Sequence, residues 1–369
     1  MSYKGGGERR VPLRNMTFWT GAGFSKSWDL RSPTGAQLFT VPIEELEDVF
    51  SLETLARLFG YQDSSEDISF ERFQQLVYLL DVQEAFPEIR SRYYDLANIG
   101  IIRNKLRNAI AARFETMCPK VHLREDTQKF TMATASTEQA DMVRFFRRLW
   151  DQSDGSSGLA EGLRYHFIST NYDFIIETIL DAFLAPDDSH FLYTYRGVTP
   201  ARLEGFTIDL SNRDHWLMSH ILKLNGGFEI FREQDGYVFD YTAGALERPD
   251  GLAPNIIMPS REQVYTDSYF REIFAKAVRL MRDTSVLVIV GYSLPVEDAV
   301  LRFIIRQFAE EGEDAVDKHI FYVDMLPETE QRARLTSLFT SIEAHGVPRI
   351  HCFSGTFAAF AAACEPLLP

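Results

Sequence analysis

The clearest chemistry in the sequence lies in a glycine-rich segment close to its start. Residues 16–20 form a short apolar run, which is typical of a buried strand in a parallel sheet. A Gly-Ala-Gly turn at 21–23 follows at once, and such a turn brings backbone N–H groups close to a ligand because no Cβ intervenes. Ser25 adds a hydroxyl group and Lys26 a positive charge. The segment predicts a phosphate cradle, with a plain strand-to-helix turn as the alternative, and it is neither a P-loop nor a complete G-x-G-x-x-G motif.

Small and polar residues follow four further apolar runs, at the point where each predicted strand ends. In an open parallel sheet the ligand lies at the carboxyl ends of the strands, so these residues converge on one edge. Taken singly, Asp173 is also explained as a helix cap and Gly291 as a tight turn. Five strand ends together predict a ligand site. The residues concerned are Gly21, Ala22, Gly23, Phe24, Ser25, Asn171, Tyr172, Asp173, Asn225, Gly226, Gly227, Gly291, Tyr292, Ser293 and Asp324.

The elements that must position these residues alternate between strand and helix. The predicted strands share apolar runs, and they cover 16–20, 165–170, 216–224, 285–290, 320–323 and 350–353. The segment 260–263 predicts the cap of a long helix that ends near Asp283, and Pro295 and Pro327 each suit the first turn of a further helix. Residues 228–241 predict a hairpin. This order predicts an α/β fold, a doubly wound, Rossmann-like parallel sheet.

A different pattern begins near residue 45 and predicts a helical insertion beside the sheet. Apolar residues recur at helical spacing over 43–58, 70–82 and 101–117, and Gly60 ends the first of these helices. Ser136-Thr-Glu-Gln139 is a capping-box sequence for a helix that runs to Trp150. The sequence therefore divides into three parts. They are a sheet-forming core at 14–44 and 160–369, a helical insertion at 45–159, and a flexible N-terminus at 1–13.

The composition excludes several classes of protein. The chain of 369 residues carries a net charge of −15, which argues against direct binding of nucleic acid. Its three cysteines form no C-x-x-C pair and its histidines lack the spacing of metal ligands, so no metal site is predicted. The N-terminus has no apolar core of a signal peptide and no stretch reaches transmembrane length, which predicts a cytoplasmic protein that does not contact the membrane.

Taken together, the strand-end residues resemble the motifs of the sirtuin superfamily. Residues 21–25 resemble its Gly-Ala-Gly-x-Ser loop, which cradles the NAD pyrophosphate, and 170–173 resemble its Gln-Asn-x-Asp segment, which lines the nicotinamide pocket. Residues 222–226 resemble its Leu-His-Gly segment, with Asn225 in place of the histidine. Gly291-Tyr-Ser293-Leu resembles its Gly-x-Ser loop on the adenosine side, and Asp324 stands where the family often holds the adenosine ribose.

Two departures from the family's deacylases refine this resemblance. The chain lacks their four-cysteine zinc module, and residues 27–31 replace their Gly-x-Pro-x-Phe-Arg cofactor loop. With these departures the chain resembles the zinc-free, sirtuin-like NAD hydrolases of bacterial anti-phage defence. The resemblance implies NAD as the substrate, no metal, a homo-oligomer and a separately encoded partner such as a HerA-type ATPase.

Within this resemblance, the reaction breaks the bond between ribose C1′ and nicotinamide through an oxocarbenium-like transition state. We expect Asn171 to accept from water and to donate to a ribose hydroxyl, and Asp173 to accept from the carboxamide. Asn225 cannot take a proton at neutral pH. His220 is the alternative base, although strand geometry puts it on the opposite face and about 16 Å away.

Three functions therefore remain open. Asn225 orients ribose and water in an NAD hydrolase, or the pocket binds nucleotide without cleaving it in a regulatory subunit. NAD-dependent deacylation or ADP-ribosyl transfer is the third alternative.

Overall fold

The computed structural model describes the chain in segments, to which the statements below are confined. They are residues 14–88, 99–118, 123–124, 126–130, 135–152, 163–185, 189–190, 192–193, 196–208, 219–242, 252–262, 265, 267–309 and 317–363. The predicted flexible N-terminus lies outside the described residues, as do the start of the predicted strand at 216–224 and the last residues of the chain.

The core is a six-stranded sheet in which every neighbouring pair of strands runs parallel. The described strands are β1 (Arg14–Thr20), β2 (Val41–Pro42), β3 (Asp67–Ile68), β4 (Leu123–Arg124), β5 (Lys129–Phe130), β6 (Leu163–Ser169), β7 (Arg202–Glu204), β8 (Ile221–Lys223), β9 (Gly226–Glu233), β10 (Gly236–Asp240), β11 (Pro254–Ile256), β12 (Thr284–Val290), β13 (His319–Asp324) and β14 (Arg349–Ser354). The order across the main sheet is β14-β13-β12-β1-β6-β8. Each of these six strands overlaps a predicted apolar run.

Helices flank the sheet, which confirms the predicted α/β class with a doubly wound parallel sheet. The described helices are α1 (Ala22–Trp28), α2 (Gly35–Leu38), α3 (Leu52–Phe59), α4 (Phe70–Ala85), α5 (Ile99–Met117), α6 (Thr137–Gln152), α7 (Ile175–Asp181), α8 (Ser268–Asp283), α9 (Ala299–Arg306), α10 (Glu328–Leu338), α11 (Ser341–His345) and α12 (Phe357–Ala363), with a 3₁₀ helix at Ile43–Leu46. A second sheet has the order β11-β9-β10-β7 and contains the predicted hairpin as β9 and β10. Among the described helices we find none with the length and apolar character that a bilayer crossing requires.

Aromatic side chains hold β1 against the helices on one face of the sheet. The ring centroid of Phe18 lies 5.0 Å from that of Phe146 on α6 and 6.5 Å from that of Phe357 on α12. Phe24 on α1 lies 5.4 Å from Phe357. Edge-to-face pairs of this kind add to the free energy gained by removing apolar area from water. The start of α1 is therefore fixed relative to the end of β1.

A second hydrophobic core is built mainly from α3, α4 and α5. Leu55, Phe73, Leu106 and Ile110 are buried in it, and Tyr172 from the loop after β6 also joins it. The helical region is thus packed against the carboxyl edge of the sheet. The division of the chain at residues 45 and 159 stays a prediction, and α6, which falls inside the predicted insertion, packs in the core of the main sheet.

Local predictions within the helical region are confirmed in part. The predicted capping box forms. The backbone N–H of Gln139 donates to Ser136 Oγ at 3.2 Å, and the backbone N–H of Ser136 donates to Gln139 Oε1 at 2.9 Å. The predicted single helix at 43–58 is wrong, because Ser51 accepts from the N–H of Thr54 at 3.2 Å and starts a new helix there. Gly60 ends that helix in the left-handed conformation, as predicted.

The predicted cap of the long helix before Asp283 is also wrong. Helix α8 begins at Ser268, and the side chain of Asp267 accepts from the N–H of Tyr269 at 2.8 Å. Ser260 instead donates its hydroxyl to Asp81 of α4 at 2.7 Å, across 179 positions of the chain. The Ser260 hydroxyl, which the local sequence pattern predicts to cap the helix, thus makes a tertiary hydrogen bond instead. Helix α9 likewise begins at Ala299, not in a turn opened by Pro295.

Two glycine loops cross at the carboxyl edge of the central strands with no space for a side chain. A Cβ at Gly23 would lie 2.6 Å from the Cα of Gly291, and a Cβ at Gly291 would lie 2.3 Å from the Cα of Gly23. Gly291 also has a φ of +57°, which favours glycine. The loop after β1 and the loop after β12 therefore depend on two bare backbones that touch.

We expect Gly291→Ala to destabilise the fold by about 2–4 kcal/mol, because the new methyl group collides with backbone and the φ is strained. The measurement is the midpoint of urea unfolding. Gly35→Ala is the matched control, since a Cβ there meets no described atom within 4 Å and the midpoint should stay the same or rise. Equal midpoints for Gly291→Ala and wild type would contradict the close contact.

Candidate functional site

A cleft of about 770 Å³ lies between the carboxyl edge of the main sheet and the helical region. Its sheet side carries the loops after β1, β6, β8, β12 and β13, as the sequence predicts. Its other side is formed by side chains in or against the second hydrophobic core, among them Leu38, Phe39, Phe70 and Phe114. The predicted strand-end residues that line it are Ala22, Gly23, Ser25, Asn171, Tyr172, Asp173, Asn225, Gly291, Tyr292, Ser293 and Asp324, whereas Gly226 and Gly227 do not.

The predicted residues Gly21 and Phe24 lie behind the cleft wall. Phe24 is 1% exposed and packs in the aromatic core of α1, α6 and α12, where it anchors the helix. The carbonyl oxygen of Gly21 accepts from Asn171 Nδ2 at 2.8 Å. Both residues therefore support the loop from within the fold.

The backbone amides of the glycine turn are engaged inside the protein. The N–H of Gly21 donates to the carbonyl of Val290 at 3.0 Å, and the N–H of Gly23 donates to the carbonyl of Gly291 at 2.9 Å. A phosphate contact with either of these two amides, as predicted from the turn, would require its hydrogen bond to open. The glycines are needed first for the contact between the two loops.

The hydroxyl of Ser25 joins two side chains of the loop after β6. Ser25 Oγ donates to Asp173 Oδ2 at 2.5 Å and accepts from Asn171 Nδ2 at 2.8 Å. Both hydrogens of the Asn171 amide are thereby used, one on Ser25 and one on the carbonyl of Gly21. The carbonyl oxygen Oδ1 is then the atom that Asn171 offers to a ligand.

Asp173 is a half-buried carboxylate in the wall of the cleft. Burial raises its pKa above the ordinary value, while the hydrogen bond from Ser25 and the nearby charge of Lys223 act in the opposite direction. Asp173 Oδ1 also accepts from the N–H of Ile175 at 3.1 Å, at the start of α7. The group is held in one orientation, with its charge only partly compensated.

Asn225 has a buried acceptor to which no described residue donates. Its Nδ2 donates to the carbonyl of Thr170 at 3.2 Å, and its backbone carbonyl accepts from Ile257 at 2.8 Å. Its Oδ1 is buried and makes no hydrogen bond within the described part of the chain. Because an unpaired buried acceptor is costly, this atom indicates a place for a donor from a ligand or from water.

The far end of the cleft is formed by the loops after β12 and β13. Ser293 is exposed, and its backbone carbonyl accepts from the guanidinium of Arg334. Asp324 Oδ1 accepts from the N–H of Leu326 at 3.1 Å, and its backbone carbonyl accepts from Gln331 Nε2 at 3.0 Å. These contacts fix the position of a carboxylate that was predicted to meet the adenosine ribose.

His220, the alternative base, is not among the residues that line the cleft. It precedes β8, and its ring centroid lies 5.3 Å from that of His166 in the interior of the sheet. Burial lowers the pKa of His220 below the ordinary value. His220 therefore packs against the sheet and lies away from the carboxyl strand ends that form the cleft.

The sequence analysis did not predict the buried charged cluster that lies behind Asp173. It consists of Glu177, Arg196, Lys223 and Glu229, each at most 1% exposed in its side chain. Lys223 Nζ donates to the backbone carbonyl of Asp173 at 2.7 Å. A lysine inside an apolar strand, Ile-Leu-Lys-Leu, is a local sign of it, since a buried lysine needs a partner.

Metal-binding groups are not evident in the described segments. There, no three or more His, Cys, Asp or Glu side chains are arranged to hold an ion. Cys118 and Cys352 are free thiols, and burial raises the pKa of Cys118 to about 12.

We expect Asp173→Asn to stabilise the protein at pH 7 by a few degrees in melting temperature, because burial disfavours the charged form. Burial raises the pKa of this carboxyl in the folded state, so the charged form lowers the stability of the fold. This loss of stability is complete above the folded-state pKa and disappears as pH falls towards the ordinary value of 3.8. The gain should therefore shrink on acidification. The control Asp235→Asn, in an exposed hairpin turn, should leave the melting temperature unchanged. A lower melting temperature for Asp173→Asn at every pH would contradict this description.

One family model matches the part of the chain that forms much of the main sheet. Residues 165–342 match the family model described as a SIR2-like domain, which supports a sirtuin-like fold for β6 to β13. No curated protein gives a significant match.

Solved structures of Sir2 enzymes show a distant likeness. A structure from work on the mechanism and regulation of Sir2 enzymes is 12% identical, with a TM-score of 0.39, covering 95% of this chain and 90% of that chain. A complex of a Sir2 homologue with NAD is 12% identical, with a TM-score of 0.40, covering 94% and 86%. A substituted Sir2 homologue in complex with ADP-ribose is also 12% identical, with a TM-score of 0.40, covering 94% and 89%.

Proposed function

We propose that the chain is an NAD⁺ hydrolase that releases nicotinamide and ADP-ribose, acting as a regulated effector of bacterial anti-phage defence. One observation carries the proposal. Two asparagine side chains, Asn171 and Asn225, lie in one cleft at neighbouring strand ends beside Asp173. Asn225 Oδ1 is buried and receives no hydrogen bond from the residues that the structure describes. The strand-end motifs and the SIR2-like match in 165–342 support NAD as the ligand.

The proposed chemistry uses acceptors at the carbon that is attacked. Cleavage of the bond from C1′ to nicotinamide builds positive charge on the ribose, and amide oxygens orient a water and the ribose hydroxyls around it. Because the Asn171 amide hydrogens are held by Ser25 and Gly21, we assign to Oδ1 the contact with water or ribose. Asn225 Oδ1 would accept from the second hydroxyl or from the same water.

Asp173 would hold the leaving group. A carboxylate is an acceptor only, and the carboxamide of nicotinamide offers two N–H donors. Ser25 occupies Asp173 Oδ2, and the N–H of Ile175 contacts Oδ1 at 3.1 Å. Each oxygen retains a lone pair, so the carboxamide can add a hydrogen bond without displacing either donor.

A nucleotide-binding regulatory subunit is the second candidate, and the asparagine at position 225 favours it. An amide takes no proton at neutral pH, and a general base contributes about 10²- to 10⁴-fold to such reactions. A site with Asn225 would hold NAD and turn it over slowly or not at all. NAD-dependent deacylation is kept as an outcome of the test below.

Assembly and partner are proposed from the resemblance alone. We propose a homo-oligomer that works with a separately encoded partner such as a HerA-type ATPase. A defence NADase must be silent until it is triggered, which is the reason to assay the chain with and without the product of a neighbouring gene.

We expect the purified chain, alone or with that partner, to convert NAD to nicotinamide and ADP-ribose, measured by chromatography. Asn171→Ala should abolish cleavage while most of the affinity for NAD remains in calorimetry, because the pyrophosphate and adenosine contacts lie elsewhere in the cleft. A control, Thr336→Ala on α10, should keep both properties. Cleavage at the wild-type rate by Asn171→Ala would contradict the mechanism, and an inert wild type with every partner would favour the regulatory subunit.

Asn225→His tests whether a missing base limits the rate. If it does, turnover should rise above that of wild type near neutral pH and acquire a dependence on the histidine pKa, ~6.5 before perturbation. Asn225→Ala is the matched variant, and it should lose about 1 kcal/mol of transition-state binding, roughly fivefold in rate. A histidine variant no faster than Asn225→Ala at any pH would show that position 225 only orients the substrate.

A further inference from the structure

Four charged side chains are buried together under the loop that carries Asn171 and Asp173. Glu177 Oε1 lies 2.9 Å from Lys223 Nζ and 2.7 Å from a terminal guanidinium nitrogen of Arg196. Glu229 Oε1 lies 3.0 Å from Lys223 Nζ and 3.4 Å from the same nitrogen of Arg196. With two cations and two carboxylates, the cluster is neutral as a whole.

Fold stability alone does not account for this cluster. Taking charges out of water is costly, and well-packed apolar residues of the same volume are often equally stable or more so. Removing only one member, by contrast, leaves an uncompensated charge in the interior and is strongly destabilising. Its contacts with the site give a reason for its presence.

Lys223 connects the cluster to two neighbouring loops on the sheet side of the cleft. Its Nζ donates to the backbone carbonyl of Asp173 at 2.7 Å and lies 4.7 Å from the ring centroid of Phe174. In the chain, Lys223 ends β8 and precedes Asn225 by two positions. One side chain thus ties the end of β8 to the loop after β6.

We propose that Lys223 is a positioning residue, which fixes the loop that carries Asn171 and Asp173 relative to Asn225 and so holds the reacting end of the cleft in register. The inference rests on the proposed function, because the register matters only if a substrate is held between the two loops. The carboxylates of Glu177 and Glu229 hold the lysine so that its third hydrogen meets the carbonyl of Asp173.

The charge of Lys223 also acts on the carboxylate itself. The groups that face Asp173 are the Ser25 hydroxyl, the Ile175 N–H, Lys223 and Glu177, and the thiol of Cys118 lies near it. Lys223 lowers the pKa of Asp173, and Glu177 raises it. A neutral residue at position 223 would therefore raise that pKa.

The test compares Lys223→Met with the double variant Lys223→Met/Glu229→Gln. The single variant leaves two carboxylates against Arg196 and is expected to fold poorly. The double variant leaves the Glu177–Arg196 pair, so the buried charge is again balanced and the fold should be kept. Lys318→Met is the control, because Lys318, just before β13, also donates to a backbone carbonyl, that of Phe308 at 2.7 Å, and β13 lies four strands from β8 in the main sheet.

In the double variant, we expect the kcat for NAD cleavage to fall about 10- to 100-fold with KM changed less than about threefold, since misplacement of reacting groups affects the chemical step. The acid limb of the pH profile should move to higher pH, because the pKa of Asp173 rises when the lysine charge is removed. A purely structural role would not move that limb. Wild-type kcat and pH profile in a folded double variant would overturn the proposal.

Hydrogen exchange separates this inference from the proposed function. If wild type cleaves no NAD under any condition, the proposed function fails, and amide exchange in 170–175 still reports on the loop. We expect exchange there to be about tenfold faster in the double variant, with the other strands of the main sheet protected as in wild type. Unchanged exchange in 170–175 would overturn the role of Lys223 whatever the activity.

Discussion

The site depends on the position of one hydroxyl group. Ser25 Oγ donates to Asp173 and accepts from Asn171, so it holds together side chains that the loop after β6 could otherwise present in several rotamers. Ser25 is itself placed by α1, whose Phe24 is anchored in the aromatic core and whose first turn is pressed against Gly291. The path from apolar packing to site geometry therefore has few steps. Loss of the contact between Gly23 and Gly291 would therefore shift Ser25 and, with it, the side chain of Asn171.

Much of the fold and many residues of the cleft could be predicted from sequence because they follow from local patterns. Apolar runs set the six strands, and parallel pairing then brings the residues after them to one edge. Partners distant in sequence could not be predicted. Ser260 has a capping sequence yet donates to Asp81, and the Gly23 amide, apparently free for phosphate, donates to the carbonyl of Gly291. In both cases a local pattern offered a donor, and only the tertiary structure showed which acceptor it met.

The ion pairs of the buried cluster around Lys223 could not be predicted from sequence for the same reason. Glu177, Arg196 and Glu229 come from separate parts of the chain, and the apolar neighbours of Glu177 and Glu229 in sequence do not indicate which cation each carboxylate meets. The low-dielectric interior makes such a set costly unless each charge is paired. It supports the carbonyl of Asp173 from behind, while Ser25 holds the carboxylate from the cleft side. Asp173, in the proposed active loop, is thus held both at its backbone carbonyl and at its side-chain carboxylate.

The central claim is that this cleft transfers the ADP-ribosyl group of NAD to water. Its most direct test is a short incubation of the chain and its partner with NAD in ¹⁸O-labelled water, with the products analysed by mass spectrometry. The account predicts free nicotinamide and an equal amount of ADP-ribose that carries one ¹⁸O atom. Nicotinamide released only when an acylated peptide is added, or ADP-ribose found on protein without the label, would contradict it.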